Sequence, residues 1–362
     1  MDKIVIYQIF TRLFCNNKSE LAYNGTIESN GCGKLNSFNN HILETIRKQG
    51  VTHIWFTGVI AHASRTDYSN NGIPTSHPAT VKGNAGSPYA IRDYFDIDPD
   101  LAENVRCRMK EFTNLVERVH NNGMKFIMDF VPNHVAREYK SIKRPKKYDD
   151  LGEKDNKNYR FDQDNNFYYM PGEKLAGAID WDGYMEEPAK ATGNDKFDAS
   201  PNLFDWYETV KLNYGVDYSS HTTHFDPIPN TWLKMRDILL YWADKGIDGF
   251  RCDMAEMVPV EFWHWAIEKV KDKYPNIIFI AEIYNPGSYS SYINYGHFDY
   301  IYDKVGMYDT LRAVTVGSQS ATAITSCWQN SGKNGEKMLH FMENHDEQRI
   351  ASDFFAGNGI KG

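Results

Sequence analysis

The feature that most constrains this chain is an alternation of short apolar runs with amphipathic stretches. The apolar runs are Ile4–Phe10, Thr52–Phe56, Lys125–Phe130, Ile247–Asp253, Ile277–Glu282, Phe298–Tyr302 and Leu339–Glu343. Between them, residues 39–49, 105–120, 232–245 and 259–273 carry helical periodicity, with stops at Gly50, at Asn121-Asn122-Gly123 and at Gly246. Strand, helix, strand repetition predicts parallel pairing through βαβ units, hence an α/β fold of about seven strands. No repeat in sequence accompanies the alternation, which excludes a solenoid.

The alternation fails twice. A long loop is expected from the second strand to about Glu103, and from Val131 to Asn230 the pattern dissolves into Asp, Asn, Gly, Lys and aromatics. A stretch of that length predicts an inserted subdomain at 131–230, leaving 1–130 and 231–362 as the main body. The 362 residues suffice for an α/β barrel of roughly 250 residues and an insertion.

The balance of charge is −8, which argues against a nucleic-acid footprint of clustered Lys and Arg. The short basic stretch Lys140–Lys147 reads as a solvated loop. Five cysteines stand at irregular spacing with no CxxC pair, so reduced thiols are expected rather than a zinc cluster or disulfide frame. The first apolar run is too short for a signal-peptide core, and no segment reaches the ~20 apolar residues of a membrane span. A cytoplasmic location with no membrane partner is the expectation, or secretion if a leader was trimmed; Asn17 and Asn24 sit in sequons that would matter only then. Aromatics at 14% suit a surface that stacks on sugar rings, and equally a Tyr- and Phe-rich core.

The chemistry lies at the strand ends. Asp129-Phe130-Val131-Pro132-Asn133-His134, Gly249-Phe250-Arg251-Cys252-Asp253, Ala281-Glu282 and Glu343-Asn344-His345-Asp346 each close an expected strand. Carboxylates there are costly unless paired, and in a barrel the C-terminal strand ends form the active face. Arg251 and Asp253 share one side of their strand, so Arg251 would keep Asp253 ionised, while Cys252 faces the other way as inert packing. Glu282 follows an apolar run and is expected to be held protonated by desolvation. Two carboxyls of opposite tuning, ~5–5.5 Å apart, are the apparatus of retaining glycoside cleavage. Asp346 would be a third acid that holds sugar hydroxyls.

In those four motifs, taken in order, the chain resembles the α-amylase superfamily, glycoside hydrolase family 13. Ser87-Pro88-Tyr89, Asp93-Tyr94 and Ile97-Asp98-Pro99 resemble the family's loop after the second strand, and Leu212-Asn213-Tyr214-Gly215 is a looser match to its fifth region. The resemblance runs from about Val5 to Arg349. It implies a (β/α)8 TIM-type barrel with the irregular subdomain inserted after the third strand. It implies Asp253 as nucleophile, Glu282 as acid/base and Asp346 as transition-state stabiliser. Arg251 would orient Asp253 and pair with Asp129, His134 and His345 would bond the sugar, and Tyr89 would stack beneath it. The chemistry needs no cofactor. Asn133, with the carbonyl near Met257, would bind a structural calcium between barrel and insertion.

Against the family pattern, the chain stops after the seventh strand, which suggests a truncated barrel. The expected activity is hydrolysis of α-glucosidic bonds in starch, glycogen or maltooligosaccharides. The alternatives are transglycosylation or isomerisation of small α-glucosides, and a non-catalytic glucan-binding scaffold. Trp181 and Trp206 are candidates for outer sugar subsites, and Trp263 and Trp265 for core. Tyr89 has core packing as its plainer alternative. Arg349 is left without a role, and Gly357–Gly362 fits GxGxxG but has no following helix and reads as a loop.

Overall fold

The structure is a computed structural model that describes residues 3–356. The chain divides into two compact units, Met1–Asp248 and Gly249–Gly362.

In the first unit three parallel strands, β1 (Ile6–Phe10), β2 (His53–Thr57) and β3 (Lys125–Phe130), pair in chain order. Ile6 lies opposite His53, and His53 opposite Lys125. Three helices follow the expected pattern: α1 (Asn40–Lys48), α2 (Arg108–Asn121) and α3 (Asn230–Ala243). The Asn39 side chain accepts from Ile42 N at 3.1 Å and satisfies one of the free donors at the start of α1. Gly50 at φ 87°, Gly123 at φ 74° and Gly246 at φ 88° follow the three helix ends, in the left-handed conformation glycine adopts without strain. The helices bury Leu43 and Ile46, Phe112, Leu115 and Val119, and Met235, Leu239 and Trp242. An aromatic column ties them to the sheet: Phe56 stacks on Phe126 at 4.5 Å, and Phe112 meets Phe126 and Trp242 edge-on, each at 5.4 Å. Each such side chain contributes about 1.5–3 kcal/mol by burial.

The loop after β2 is more ordered than its sequence suggests. Ile60–His62 and Ile91–Ile97 form a buried antiparallel ribbon. Asp93 and Asp96 break the apolar pattern of the second strand, but both find partners inside, Asp96 a cation and Asp93 hydrogen-bond donors. Asp96 takes Arg108 Nε at 2.8 Å, and Asp93 accepts from the backbone of Phe95, Ile142 and Lys143. Residues 131–229 hold short antiparallel ribbons, His134–Ala136 with Thr209–Lys211 and Tyr169–Met170 with Ala189–Lys190, around a local core. Trp181 belongs to that core: it is buried, and its indole donates to Ala176 O at 2.9 Å. This removes Trp181 from the candidate sugar subsites. Trp206, half-buried, lies with its ring 5.3 Å from that of His134.

The second unit carries β4 (Gly249–Cys252), α4 (Val260–Lys271), β5 (Ile278–Ala281), α5 (Tyr289–Asn294), β6 (Tyr300–Tyr302), α6 (Asp309–Thr315), α7 (Thr322–Asn330) and β7 (Met338–Leu339). Its four strands are parallel and again pair in chain order. Trp263 on α4 is fully buried as expected, whereas Trp265 is only partly covered. The architecture is thus α/β with seven parallel strands, three in one unit and four in the other. The last strand differs from its expected span. It ends at Leu339 rather than Glu343, because Asn344 Oδ1 accepts from Asp346 N and Glu347 N and folds the segment into an Asx turn. The glycine-rich stretch Gly357–Gly362 lies outside the described residues. No described helix is long and apolar enough to cross a membrane.

Candidate active site

Within the second unit the pairing of β4 with β5 brings Arg251 opposite Ile280 and Cys252 opposite Ala281. The backbone continues this match one step further, with Glu282 N donating to Cys252 O at 3.1 Å. Asp253 and Glu282 therefore leave the sheet together at its C-terminal edge. Arg251, 1% exposed, sits between them. Its Nη1 is 2.7 Å from Asp253 Oδ1, its Nη2 is 2.9 Å from Glu282 Oε1, and Nη2 is 3.9 Å from Asp346 Oδ2. Nε donates to Tyr302 Oη at 3.1 Å at the end of β6. One planar guanidinium thus gathers the three acids that the sequence singles out, on segments scattered over nearly a hundred residues.

Glu282 has a different environment from the one expected. The approach to it is apolar, but its carboxylate is not in an apolar pocket. Arg251 and the Tyr284 hydroxyl reach Oε1, at 2.9 and 2.8 Å, and Met254 N reaches Oε2 at 2.7 Å. Met254 makes that contact from the left-handed region, φ 44°. Tyr284 is held in turn by Glu256, which accepts from Tyr284 N at 3.0 Å and Asn285 N at 3.2 Å. Burial and the adjacent Glu282 push the Tyr284 hydroxyl well above its ordinary range, so it stays a donor.

Asp346 is held above the ordinary carboxylate range. Burial, together with Glu282 and Glu347, pushes it up to about 6 against the pull of Arg251. Its side chain keeps 44% exposure, so solvent screens much of this interaction. His345 lies with Nε2 at 3.3 Å from Asp346 Oδ2, and burial beside Arg251 lowers it to about 3, leaving a neutral imidazole. Arg349 pairs on the surface with Glu343 at 2.8 Å.

The remaining candidates lie in the first unit. Asp129 Oδ2 accepts from Trp55 Nε1 at 3.1 Å and from Gly58 N at 3.4 Å. Asn133 and His134 adjoin at the end of β3. Asn133 Nδ2 lies 3.1 Å from His134 Nδ1 and donates to Gly193 O at 2.8 Å. Burial and the nearby Lys211 charge lower His134 to about 3, against a hydrogen bond with the Tyr89 backbone. Tyr89 itself is half-buried, in a turn where its N–H meets Ser87 Oγ at 3.2 Å.

The Asn133 carbonyl oxygen, the atom that would face a metal, accepts from the ammonium of Lys211. Lys211 is 2% exposed and 2.7 Å from Asp195 Oδ1. A divalent cation needs these same oxygens and would be repelled by the ammonium, so the residues present do not fit calcium at Asn133. Among the described residues one group of three His, Cys, Asp or Glu ligand atoms lies within 4.8 Å, His264, Glu268 and His297, and it is remote in sequence from Asn133.

Tyr302, Tyr284, Glu256 and Lys211 were not among the residues singled out from sequence. Tyr284 had a signal, since it stands two residues beyond Glu282. Tyr302 lies in an unremarkable context and becomes visible only through strand pairing, whereas Lys211 adjoins the Leu212–Gly215 motif.

Comparison with known proteins follows the same lines. Residues 8–359 match the family described as "Alpha amylase, catalytic domain". A curated α-amylase of Haloarcula japonica, MalA, is 24% identical over 354 residues, 97% of this chain and 40% of the relative. An α-1,4-glucan:maltose-1-phosphate maltosyltransferase of Cereibacter sphaeroides is 24% identical over 250 residues, 67% of this chain and 28% of that protein. The chain thus spans less than half the length of these two relatives. Among solved structures, an α-amylase of Lactobacillus plantarum superposes with a TM-score of 0.58 at 23% identity, over 96% of this chain and 64% of that one. The cyclic α-maltosyl-(1→6)-maltose hydrolase of Arthrobacter globiformis does so at 0.66 and 19%, over 98% and 68%. With the ordered strand-end motifs and the parallel α/β architecture, the match over nearly all of its length makes this chain a member of the α-amylase catalytic-domain family.

Proposed function

We propose that this chain is a retaining glycosidase that hydrolyses α-glucosidic bonds in starch, glycogen or maltooligosaccharides. The observation that carries the reading is the buried Arg251, whose two terminal nitrogens hold Asp253 at 2.7 Å and Glu282 at 2.9 Å. Neighbours on one guanidinium are close, as a nucleophile and acid/base of the retaining kind must be; the inverting arrangement leaves room for a water between its carboxyls.

In this reading Glu282, once protonated, delivers its proton to the glycosidic oxygen while Asp253 attacks the anomeric carbon. The C–O bond to the leaving sugar breaks as the ester to Asp253 forms, with inversion. Glu282, now a carboxylate, takes a proton from water, whose oxygen displaces Asp253 with a second inversion. Arg251 holds the Asp253 carboxyl in place for attack, and Tyr284 orients Glu282. Asp346 bonds sugar hydroxyls as charge develops at the anomeric carbon. Roles for Tyr89, His134 and His345 in holding the sugar rest on the family resemblance.

Asp253→Asn is expected to lower turnover of maltoheptaose by more than 10³-fold with an unchanged far-ultraviolet spectrum, and wild-type product is expected to appear first as the α-anomer by proton NMR. Near-normal turnover by the variant, or a β-anomer as first product, would overturn the reading. The match to a maltosyltransferase favours one alternative, interception of the same ester by a sugar hydroxyl instead of water. Chromatography of products from maltose decides it, since transfer yields oligosaccharides longer than the substrate.

A further inference from the structure

The ribbon of His134–Ala136 with Thr209–Lys211 sets Lys211 opposite His134. From there the Lys211 side chain turns inward and its ammonium meets Asn133 Oδ1 and, at 2.7 Å, Asp195 Oδ1. The ring of Tyr218 lies 5.9 Å from the same ammonium. The site is buried on the Asn133 side, and Asp195 caps it from an exposed turn. Asn133 is fully buried, its carbonyl accepts from Leu212 N at 3.0 Å, and Lys211 N donates to Ala191 O at 2.9 Å. Gly193 packs so tightly that a Cβ there would lie 2.4 Å from Thr209 Oγ1 and 2.9 Å from His134 Cβ. Asp195 reaches the ammonium from a left-handed backbone, φ 62°, an uncommon conformation for any residue but glycine. Three segments, 133–134, 191–195 and 209–212, therefore converge on one buried positive charge.

We propose that Lys211 is a built-in cation which performs the tethering a structural calcium would perform at Asn133, so that the fold needs no divalent ion there. A metal gathers oxygens from separate segments by supplying central positive charge. Here the ammonium supplies it with three donors, one directed to an amide oxygen and one to a carboxylate. Charge and donor come with the chain, and no equilibrium with free calcium governs the tether.

The test is thermal unfolding of the full chain after dialysis against a chelator, with and without added calcium ion, beside calorimetric titration of calcium alone. The expected result is one melting temperature in both buffers and no saturable heat. Lys211→Met, which keeps the stem and loses the charge, is expected to melt several degrees lower, because the buried Asn133 Oδ1 loses its donor and Asp195 its partner. If that variant is insoluble, Asp195→Asn serves, with a smaller loss of melting temperature and still no response to calcium. The proposal is overturned if chelation lowers the wild-type melting temperature and calcium restores it. One-to-one calcium binding that Asn133→Ala abolishes would overturn it too, as would melting unchanged by both the Lys211 and Asp195 substitutions.

Discussion

At the scale of single residues the site is a competition for one guanidinium. Arg251 faces three acids, and the one it holds least closely, Asp346 at 3.9 Å, is the one whose carboxyl is pushed up to about 6. The sign of its effect on stability follows. The folded-state value lies above the ordinary 3.8, so the fold prefers this carboxyl neutral. The resulting cost is absent below pH 3.8 and fully present above about pH 6. Asp346→Asn is therefore expected to raise the melting temperature at pH 8 and to leave it nearly unchanged at pH 3.5, while lowering kcat on the order of 10²-fold. Paired melting curves and rates at those two pH values check this, and a variant less stable at pH 8 would refute it. The sequence exposed Arg251 and Asp253 through their two-residue spacing, since side chains so placed share a face. It did not expose the donors around Glu282. An apolar run before a carboxylate says how the strand is buried, but the Tyr284 hydroxyl and Met254 amide arrive from turns whose course no periodicity records.

At the scale of elements, strands and helices with a buried face were legible and polar-looking elements were not. β3 and α2 were readable because Phe126, Ile127 and Met128, and Phe112, Leu115 and Val119, must all leave water. Ile91–Ile97 is hidden by Asp93 and Asp96, which are buried because Arg108 pairs with Asp96 and the backbone near residue 142 bonds Asp93. β7 ends earlier than its apolar run for the opposite reason, since the Asn344 turn outcompetes strand pairing locally. The turn that carries Tyr89 depends on Gly86, at φ 70°, where a Cβ would lie 1.8 Å from Ala63 O. That contact is with backbone and cannot yield by a side-chain rotation. Gly86→Ala is expected to cost at least about 2 kcal/mol in urea unfolding and to raise KM more than it lowers kcat, if the turn serves to place Tyr89 against substrate. A variant as stable as the wild type would show that the turn shifts without strain.

At the scale of the molecule, both units repeat one device: parallel strands in chain order, helices returning between them, and the candidate site residues at the C-terminal strand ends. Fold class was legible because this device imposes a period on the sequence outside the two irregular stretches. The acids that matter were legible because they sit where the period stops. Finer properties depend on loops, which explains why family membership is plain while the choice between hydrolysis and transfer is a proposal. The net charge of −8 fits a neutral substrate better than a polyanion. The proposed mechanism requires that Asp253 become esterified to a sugar. Its most direct test is to trap the ester with 5-fluoro-α-glucosyl fluoride, whose ring fluorine slows both steps and whose leaving fluoride needs no proton. Intact and peptide mass spectrometry should then show one fluoroglucosyl group per chain, on the peptide containing Asp253, in the wild type and in Glu282→Gln alike. Modification of a different residue, or steady turnover of the reagent with no label on Asp253 at any time, would contradict the account.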